Sequence, residues 1–281
     1  MYKGTNASDG IGIGTAVIVE EAELIITRRE VNDTEAEVQR FKGALETTIA
    51  ETQKMAEDLA ARVGEKEAEI MQGHMMLLSD PMLTGEIENS IQNDKVNSEF
   101  AIENVCNMYA DMFASMGDEL MQQRATDMRD IKVRMQRTLM GLQSVDVSAL
   151  PAGTILVAKD LTPSMTAGIN PANVTGIVTE LGGRTSHSAI LARALEIPAV
   201  VAVNGLLDKV KDGDTVVLDG SAGEVYVNPE AEVKAAYEAK REQFLMDKKE
   251  PEKYLGQLSV TKDAVQVEIV ANIGKPEDID K

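Results

Sequence analysis

The chain reads as an α/β domain interrupted by an all-α insertion, and three observations give that fold class. Short β-branched apolar runs punctuated by glycine lie on both sides of a long middle region, at Ile11–Val19 before it and at residues 154–157, Val174–Thr179, 199–203, 215–218 and Glu224–Val227 after it. Between them, from about residue 32 to 142, glycine and proline are scarce and apolar residues recur at three and four, the period of an amphipathic helix. After Val227 a charged, helix-forming stretch takes over.

Taken in order, residues 10–14 form a Gly-x-Gly-x-Gly run that feeds the first strand. It has neither the spacing nor the following helix of a dinucleotide fingerprint, so its glycines read as turn residues. A second short strand is expected at residues 24–27. Asn32, Asp33, Thr34 and Glu35 can start the first long helix, which runs to about Val63. A second spans Glu65–Leu78, with Asp80-Pro81 as a break before a further piece to about Gln92. Two more are expected, from Ser98 to about Met116 and from Asp118 to about Leu142. Short connections between long helices suggest two helical hairpins in a four-helix arrangement. The later strands interleave with helices and form the α/β domain, whose sheet residues 1–29 complete. A linker helix is expected at residues 229–256, and residues 257–281 then begin a new strand pattern.

Bulk properties narrow the function. A length of 281 residues is long for one core, and two domains are the default. A net charge of −19 argues against nucleic acid and against an anionic membrane as partner, and favours a basic protein or simple solubility. The start is polar and no apolar run approaches a membrane span, so a cytoplasmic location is expected. The single Cys106 lies in an apolar helical pattern and reads as a small buried side chain. With two histidines and one cysteine far apart in sequence, no transition-metal site is expected. Twelve of the 15 methionines fall between Met55 and Met140, and Met108, Met112 and Met116 share one helix face. Methionine suits both irregular cores and protein-binding surfaces, and the core reading is preferred for most of them.

The chemistry concentrates at Gly182-Gly183-Arg184-Thr185-Ser186-His187-Ser188. A buried strand ends at Thr179, the two glycines turn the chain, Thr185 or Ser186 can cap, and residues 188–195 read as a helix. Backbone N–H groups converge at such a helix start, and the helix dipole favours an anion there. The same field disfavours an imidazolium, so His187 is biased toward its neutral, nucleophilic form. A neutral imidazole beside an anion site suits a phosphoryl-carrying histidine.

This stretch, with the apolar helix that follows it, Arg193 and the Ile197-Pro198-Ala199 exit, resembles the phosphohistidine signature of phosphoenolpyruvate-using enzymes. The order of elements resembles the N-terminal half of enzyme I of the bacterial sugar phosphotransferase system. The resemblance implies a swivelling phosphohistidine domain at residues 1–29 and 143–228, and an inserted helical subdomain at 30–142 that binds the phosphocarrier protein HPr. It further implies a linker helix at 229–256 and the start of a phosphoenolpyruvate-binding barrel at 257–281, loosely ordered because it is cut short.

Residue by residue, the resemblance makes His187 the phosphorylated nucleophile through Nε2. Thr166, within Asp160-Leu161-Thr162-Pro163-Ser164-Met165-Thr166, would hold Nδ1. Gly183 permits close backbone approach, Thr185 shares the motif, and Arg184 offsets phosphate charge or faces solvent. Gly73-His74-Met75-Met76-Leu77-Leu78-Ser79-Asp80-Pro81 resembles the HPr-docking segment. Met76, Leu77 and Leu83 would be its apolar contacts, with Glu65 and Asp80 facing basic residues of HPr. Arg124 and Arg129 resemble a further interface motif, the alternative being pairing with Asp127 or Asp130 at helical spacing. His74 matches a family position that is not phosphorylated, and it reads as structural or interfacial.

The activity implied is phosphoryl transfer from phosphoenolpyruvate through a phosphohistidine to HPr, with these residues competent for reversible exchange with HPr alone. Phosphoenolpyruvate and Mg²⁺ are expected to need the C-terminal domain, with no cofactor or metal bound by these residues. A monomer is expected here, and a homodimer for the full-length enzyme. One rival is the swivelling domain of a pyruvate phosphate dikinase or phosphoenolpyruvate synthase, although no P-loop or glycine-rich ATP cradle is readable. A rival of another class is a phosphorylation-sensing docking module, which would require that His187 never be phosphorylated.

Overall fold

In the computed structural model, which describes residues 1–20, 23–143, 146–250, 253, 257–263, 265–268 and 270, the β-branched runs assemble into one eight-stranded sheet. Its strands are β1 (Tyr2–Lys3), β2 (Thr5–Ser8), β3 (Ile11–Val19), β4 (Thr154–Ala158), β5 (Val174–Thr179), β6 (Ala199–Val201), β7 (Thr215–Asp219) and β8 (Glu224–Val227). Their order is β1-β8-β7-β3-β4-β5-β6-β2. The centre, β3 to β6, is parallel, and the outer pairings are antiparallel.

The expected strand at residues 24–27 does not form, and residues 23–29 carry no regular structure. Two strands that the sequence hid, β1 and β2, are too short to show an alternation. They occupy opposite ends of the sheet order with only Gly4 between them, so the two sheet edges meet at the N-terminal segment. Closure removes the exposed edges on which foreign strands could pair. It needs glycine at position 4, where a Cβ would lie 2.5 Å from the Val201 carbonyl oxygen and 2.6 Å from Val203. The Gly-x-Gly-x-Gly run also differs from its turn reading. Only Gly10 has a positive φ, of 118°. Gly12 and Gly14 lie inside β3, where a Cβ would press on the carbonyl oxygens of Thr175 and Gly153 at 2.7 and 2.1 Å.

The insertion leaves after β3 and returns before β4. It comprises α1 (Thr34–Arg62), α2 (Glu65–Leu78), α3 (Pro81–Asp94), α4 (Ser98–Ser115) and α5 (Glu119–Met140). Asp33 caps α1 by accepting from the Ala36 N–H. Asp80 caps α3 by accepting from the Met82 N–H, and Pro81 opens that helix, so the expected break separates two helices. Phe41, Leu78, Leu83, Ile87, Ile91, Ile102, Met128 and Ile131 form the insertion's own core. Cys106 belongs to it, and burial pushes its thiol up to about 12. At the insertion's edge Glu99 is buried as well. Burial alone would raise its carboxyl, but the Arg40 guanidinium and the Asn97 amide bring it down to about 2.

Two short helices cover one sheet face, α6 (Pro163–Ala167) and α7 (His187–Ala194). They are also where the insertion rests. Ala56 and Leu59 of α1 and Met71 of α2 pack with Ala167 and Leu191 in one buried cluster. Arg62, at the end of α1, donates from Nη1 to the Ile169 carbonyl at 2.6 Å and from Nη2 to the Ala167 carbonyl. These contacts satisfy carbonyl groups at the end of α6.

By contacts the chain divides into two units, Met1–Glu238 and Ala239–Lys281, so insertion and sheet share one unit. Helix α8 (Ala231–Lys249) starts in the first unit, where Tyr237 donates to Glu224 at 2.9 Å and packs on Tyr226. Within the second unit the described residues beyond α8 include a single bridge, Val260 to Gln266. The expectation of barrel strands over 257–281 falls largely outside the described residues.

Gly4→Ala should lower stability by about 1–3 kcal/mol, the usual cost of overpacking, read as a lower urea midpoint with an unchanged slope.

Candidate functional site

The site forms where α7 begins. Thr179 ends β5 and donates from Oγ1 to the Leu181 carbonyl at 2.6 Å, and Gly182 turns the chain with φ of 99°. That value lies in the region open to glycine and strained for other residues. Ser186 is the N-cap, accepting from the Ala189 N–H at 3.3 Å while donating to the Gly183 carbonyl at 2.8 Å. His187 is therefore the first residue of α7, one earlier than the sequence pattern gives. Arg193 secures the turn from the far end of the helix. It donates to the Ala7 carbonyl at 2.8 Å and to the Arg184 carbonyl at 3.0 Å.

The His187 side chain is 11% exposed. Burial pushes its pKa down, and His74 adds to that, while Asp127, Asp130 and Asp160 pull it up. Burial dominates, so the neutral ring is favoured. Its Nε2 lies 3.7 Å from Oδ1 of Asp127, on α5 of the insertion. The same oxygen lies 3.3 Å from Nε2 of His74, on α2. Asp127 Oδ2 lies 3.8 Å from the Arg124 guanidinium. Nδ1 of His74 lies 3.7 Å from Asp130, which accepts from the Ser164 N–H at 3.1 Å and the Ser164 hydroxyl at 2.8 Å. Burial raises the carboxyl of Asp160, in the loop after β4.

A cleft of about 470 Å³ opens beside the ring, lined by Gln122, Gln123 and Thr126 of α5 and by Asp160, Gly183 and Thr185 among others. A Cβ at Gly183 would meet no heavy atom within 4 Å, so open space adjoins this backbone. Such a site can present a neutral imidazole to an electrophile that approaches through a polar cleft.

The structure brings His187, Gly183 and Thr185 to this cleft, while Arg184 is exposed and does not line it. Thr166 requires a correction. Its hydroxyl donates within its own turn, to the Pro163 carbonyl at 2.8 Å and the Thr162 carbonyl at 3.2 Å, and among the described residues no hydrogen bond joins it to His187. A threonine in a helix satisfies its hydroxyl on the preceding turn unless something stronger competes.

The candidate partner residues separate as well. Met76 is 72% exposed, Glu65 is exposed and Leu77 is half-buried. Asp80 spends one oxygen on its cap. Leu83 is 2% exposed and belongs to the insertion's core, which corrects its reading as a surface contact. Arg124 follows the pairing alternative, with Asp127, and exposed Arg129 lies 4.0 Å from Asp111. His74 is wholly buried, so it presents no surface to a partner.

The methionines reverse the preferred core reading. Met71, Met128 and Met135 are buried, but Met76, Met82, Met108, Met112, Met116 and Met140 are exposed. Asp127, Asp130 and Ser164 were missed as site residues. Their signal was two carboxylates three apart on the apolar face of α5, beside Met128 and Ile131, where a core helix should carry none.

Two family models match the chain, "PEP-utilising enzyme, N-terminal" over residues 3–124 and "PEP-utilising enzyme, mobile domain" over residues 150–223. The chain is 42% identical over 279 residues to a phosphoenolpyruvate-protein phosphotransferase of Staphylococcus carnosus, covering 99% of this chain and 49% of that protein. Its counterpart in Bacillus subtilis is 41% identical over 277 residues, with the same coverage. The chain thus spans about half the length of the curated relatives it matches. Among solved structures, an NMR structure of Enzyme I (nEIt) is similar with a TM-score of 0.75 and 39% identity, over 87% of this chain and 99% of that one. The N-terminal domain of Enzyme 1 - Nitrogen is similar with a TM-score of 0.55 and 26% identity, over 85% and 98%.

The His187 ring should titrate with a midpoint below 6.5, measured by NMR on the unphosphorylated protein. The sign for stability follows. The unfolded chain binds more protons between the two pKa values. This contribution is therefore fully present above about pH 6.5 and is lost as pH falls through the folded value.

Proposed function

The chain belongs to the enzyme I family of phosphoenolpyruvate-protein phosphotransferases, and from that premise we propose that it carries a phosphoryl group on His187 and exchanges it reversibly with HPr. One observation carries the reading: a buried imidazole, kept neutral by burial, at the start of a capped helix and beside an open polar cleft.

In the transfer, Nε2 of His187 forms a bond to phosphorus while the bond from phosphorus to the histidine nitrogen of HPr breaks, its electron pair returning to that nitrogen. Little acid–base chemistry is required, so alignment and charge stabilisation decide the rate. The N-terminal dipole of α7, Thr185 and the open backbone at Gly183 favour the arriving anion. In the present arrangement Nε2 faces the Asp127 carboxylate at 3.7 Å, which repels a phosphoryl group. Transfer therefore includes a turn of the ring, or a shift of the insertion, that points Nε2 into the cleft.

We assign HPr recognition to the insertion, residues 30–142, and phosphoryl carriage to residues 1–29 and 143–228. The docking surface combines Met76 and Leu77 of α2 and Met82 of α3 with Met108 and Met112 of α4, flanked by Glu65, Asp80, Arg124 and Arg129. Exposed Met76, Met82, Met108 and Met112 on a chain of net charge −19 fit a basic partner with an apolar contact face. Among the described residues no group of three or more His, Cys, Asp or Glu is placed to hold a metal, and we assign none of them to Mg²⁺. Phosphoenolpyruvate use, Mg²⁺ and dimerisation are assigned to the part of the relatives that this chain does not cover. No helix among the described residues is long and apolar enough to cross a membrane, and we assign the reaction to the cytoplasm.

Mixed with phospho-HPr at neutral to alkaline pH, the chain should gain one acid-labile phosphate by intact-mass spectrometry, and His187→Ala should gain none. An unchanged mass for the unaltered chain would overturn the assignment. Met76→Asp and Met112→Asp should each weaken HPr binding about tenfold by titration calorimetry, ~1.4 kcal/mol, without lowering the melting temperature. Leu83→Ala should instead lower stability by about 2–5 kcal/mol, because it opens a cavity in the insertion's core.

A further inference from the structure

We propose that His74 is a positioning residue for His187: it donates a proton from Nε2 to Oδ1 of Asp127, withholds that carboxylate from His187, and so keeps the phosphoryl-accepting Nε2 of His187 bare. This inference rests on the phosphoryl-carrier reading of His187.

The geometry that carries it is a single oxygen between two imidazoles. Oδ1 of Asp127 lies 3.3 Å from Nε2 of His74 and 3.7 Å from Nε2 of His187. Both nitrogens of His74 and this oxygen are buried and lack an aligned hydrogen bond. Leaving a buried polar atom unpaired costs about 1–3 kcal/mol, so the placement of protons in this cluster is consequential. Asp127 Oδ1 can be served by an N–H from either imidazole. If His187 serves it, the proton sits on the very nitrogen that must attack phosphorus, and the nucleophile is lost. If His74 serves it, His187 keeps its proton on Nδ1 and leaves Nε2 with a free electron pair.

The surroundings favour the second arrangement. His74 lies between two carboxylates, with Asp127 on one side and Asp130 on the other. Asp130 is itself fixed by two hydrogen bonds from Ser164. The other oxygen of Asp127 faces Arg124, whose guanidinium also lies against Gly73, 2.7 Å from where a Cβ on that residue would sit. The charged and titratable groups facing His187 are Asp127 and Asp130 from α5, His74 from α2 and Asp160 from the loop after β4. Among the described residues His187 has one carboxylate within 4.0 Å, that of Asp127, whereas His74 has two. Burial of His187 acts in the same direction, because it disfavours a charged ring there.

The test starts with the unaltered 281-residue chain. Ring nitrogen-15 shifts at pH 7 should show His187 protonated on Nδ1 with Nε2 bare, and His74 protonated on Nε2. A His187 ring protonated on Nε2 would overturn the proposal without any variant. His74→Leu removes the donor, so Asp127 should turn to His187. The His187 midpoint, and with it the acidic limb of the rate of phosphoryl uptake from phospho-HPr, should both rise by about one pH unit or more. His74→Gln retains an N–H donor and should restore the midpoint of the unaltered chain, which a purely structural role would not do. A folded His74→Leu chain with an unchanged His187 midpoint would also overturn the proposal. The ring measurements need no phosphate and no HPr. Failure of the chain to accept a phosphoryl group would thus count against the proposed function, while the nitrogen shifts decide the role of His74.

Discussion

The structure turns on one face of α5, where two carboxylates are buried at the seam between insertion and sheet. Asp130 reaches across to the backbone and hydroxyl of Ser164, and Asp127 reaches toward His187. Charges taken from water demand partners, and here the partners belong to different elements: His74 on α2, Arg124 on α5 itself, Ser164 on α6 and His187 on α7. The seam is thus specified by polar pairing as well as by the apolar cluster of Leu59, Met71 and Leu191. The seam places a carboxylate against the proposed acceptor nitrogen, so the arrangement proposed to receive a phosphoryl group must differ from it.

The sheet supplies the fixed side of this device. Closure through Gly4 joins its two edges, and close backbone approaches at Gly12 and Gly14 pack β3 against its neighbours without side chains between them. On that base the Gly182 turn, the Ser186 cap and the two carbonyls held by Arg193 set the start of α7. The ring stands at the first position of this capped helix. His74, Asp127 and Asp130 of the insertion and Asp160 of the loop after β4 all act on it, so the environment of His187 depends on both halves of the unit.

The insertion keeps its exposed methionines apart from its core. Leu78, Leu83 and Ile87 fill the interior of the α2–α3 pair, while Met76 and Met82 on the same two helices stand in solvent. Unbranched thioethers adapt to a partner's surface more readily than branched aliphatic side chains do, which suits them to the docking role proposed for this surface.

By itself the sequence determined the helix and strand pattern, the inserted order of elements and the place of His187 at a helix start. Period 3.6 over long segments, buried β-branched runs and a glycine turn before a capped helix are local signals that the chain cannot hide. The two- and four-residue strands β1 and β2 were illegible, since they have no period and exist only through their partners at the two ends of the sheet. The solvent exposure of Met108, Met112 and Met116, the burial of Leu83 and the inward bond of Thr166 were equally out of reach. Spacing tells which residues share a helix face, but only the packed neighbours decide whether that face is inside. The cluster of His74, Asp127 and His187 spans 113 residues of chain, from 74 to 187. Its charges were visible one by one, but their coupling depends on a few ångströms of separation within a low-dielectric seam. That separation is set by the tertiary structure alone.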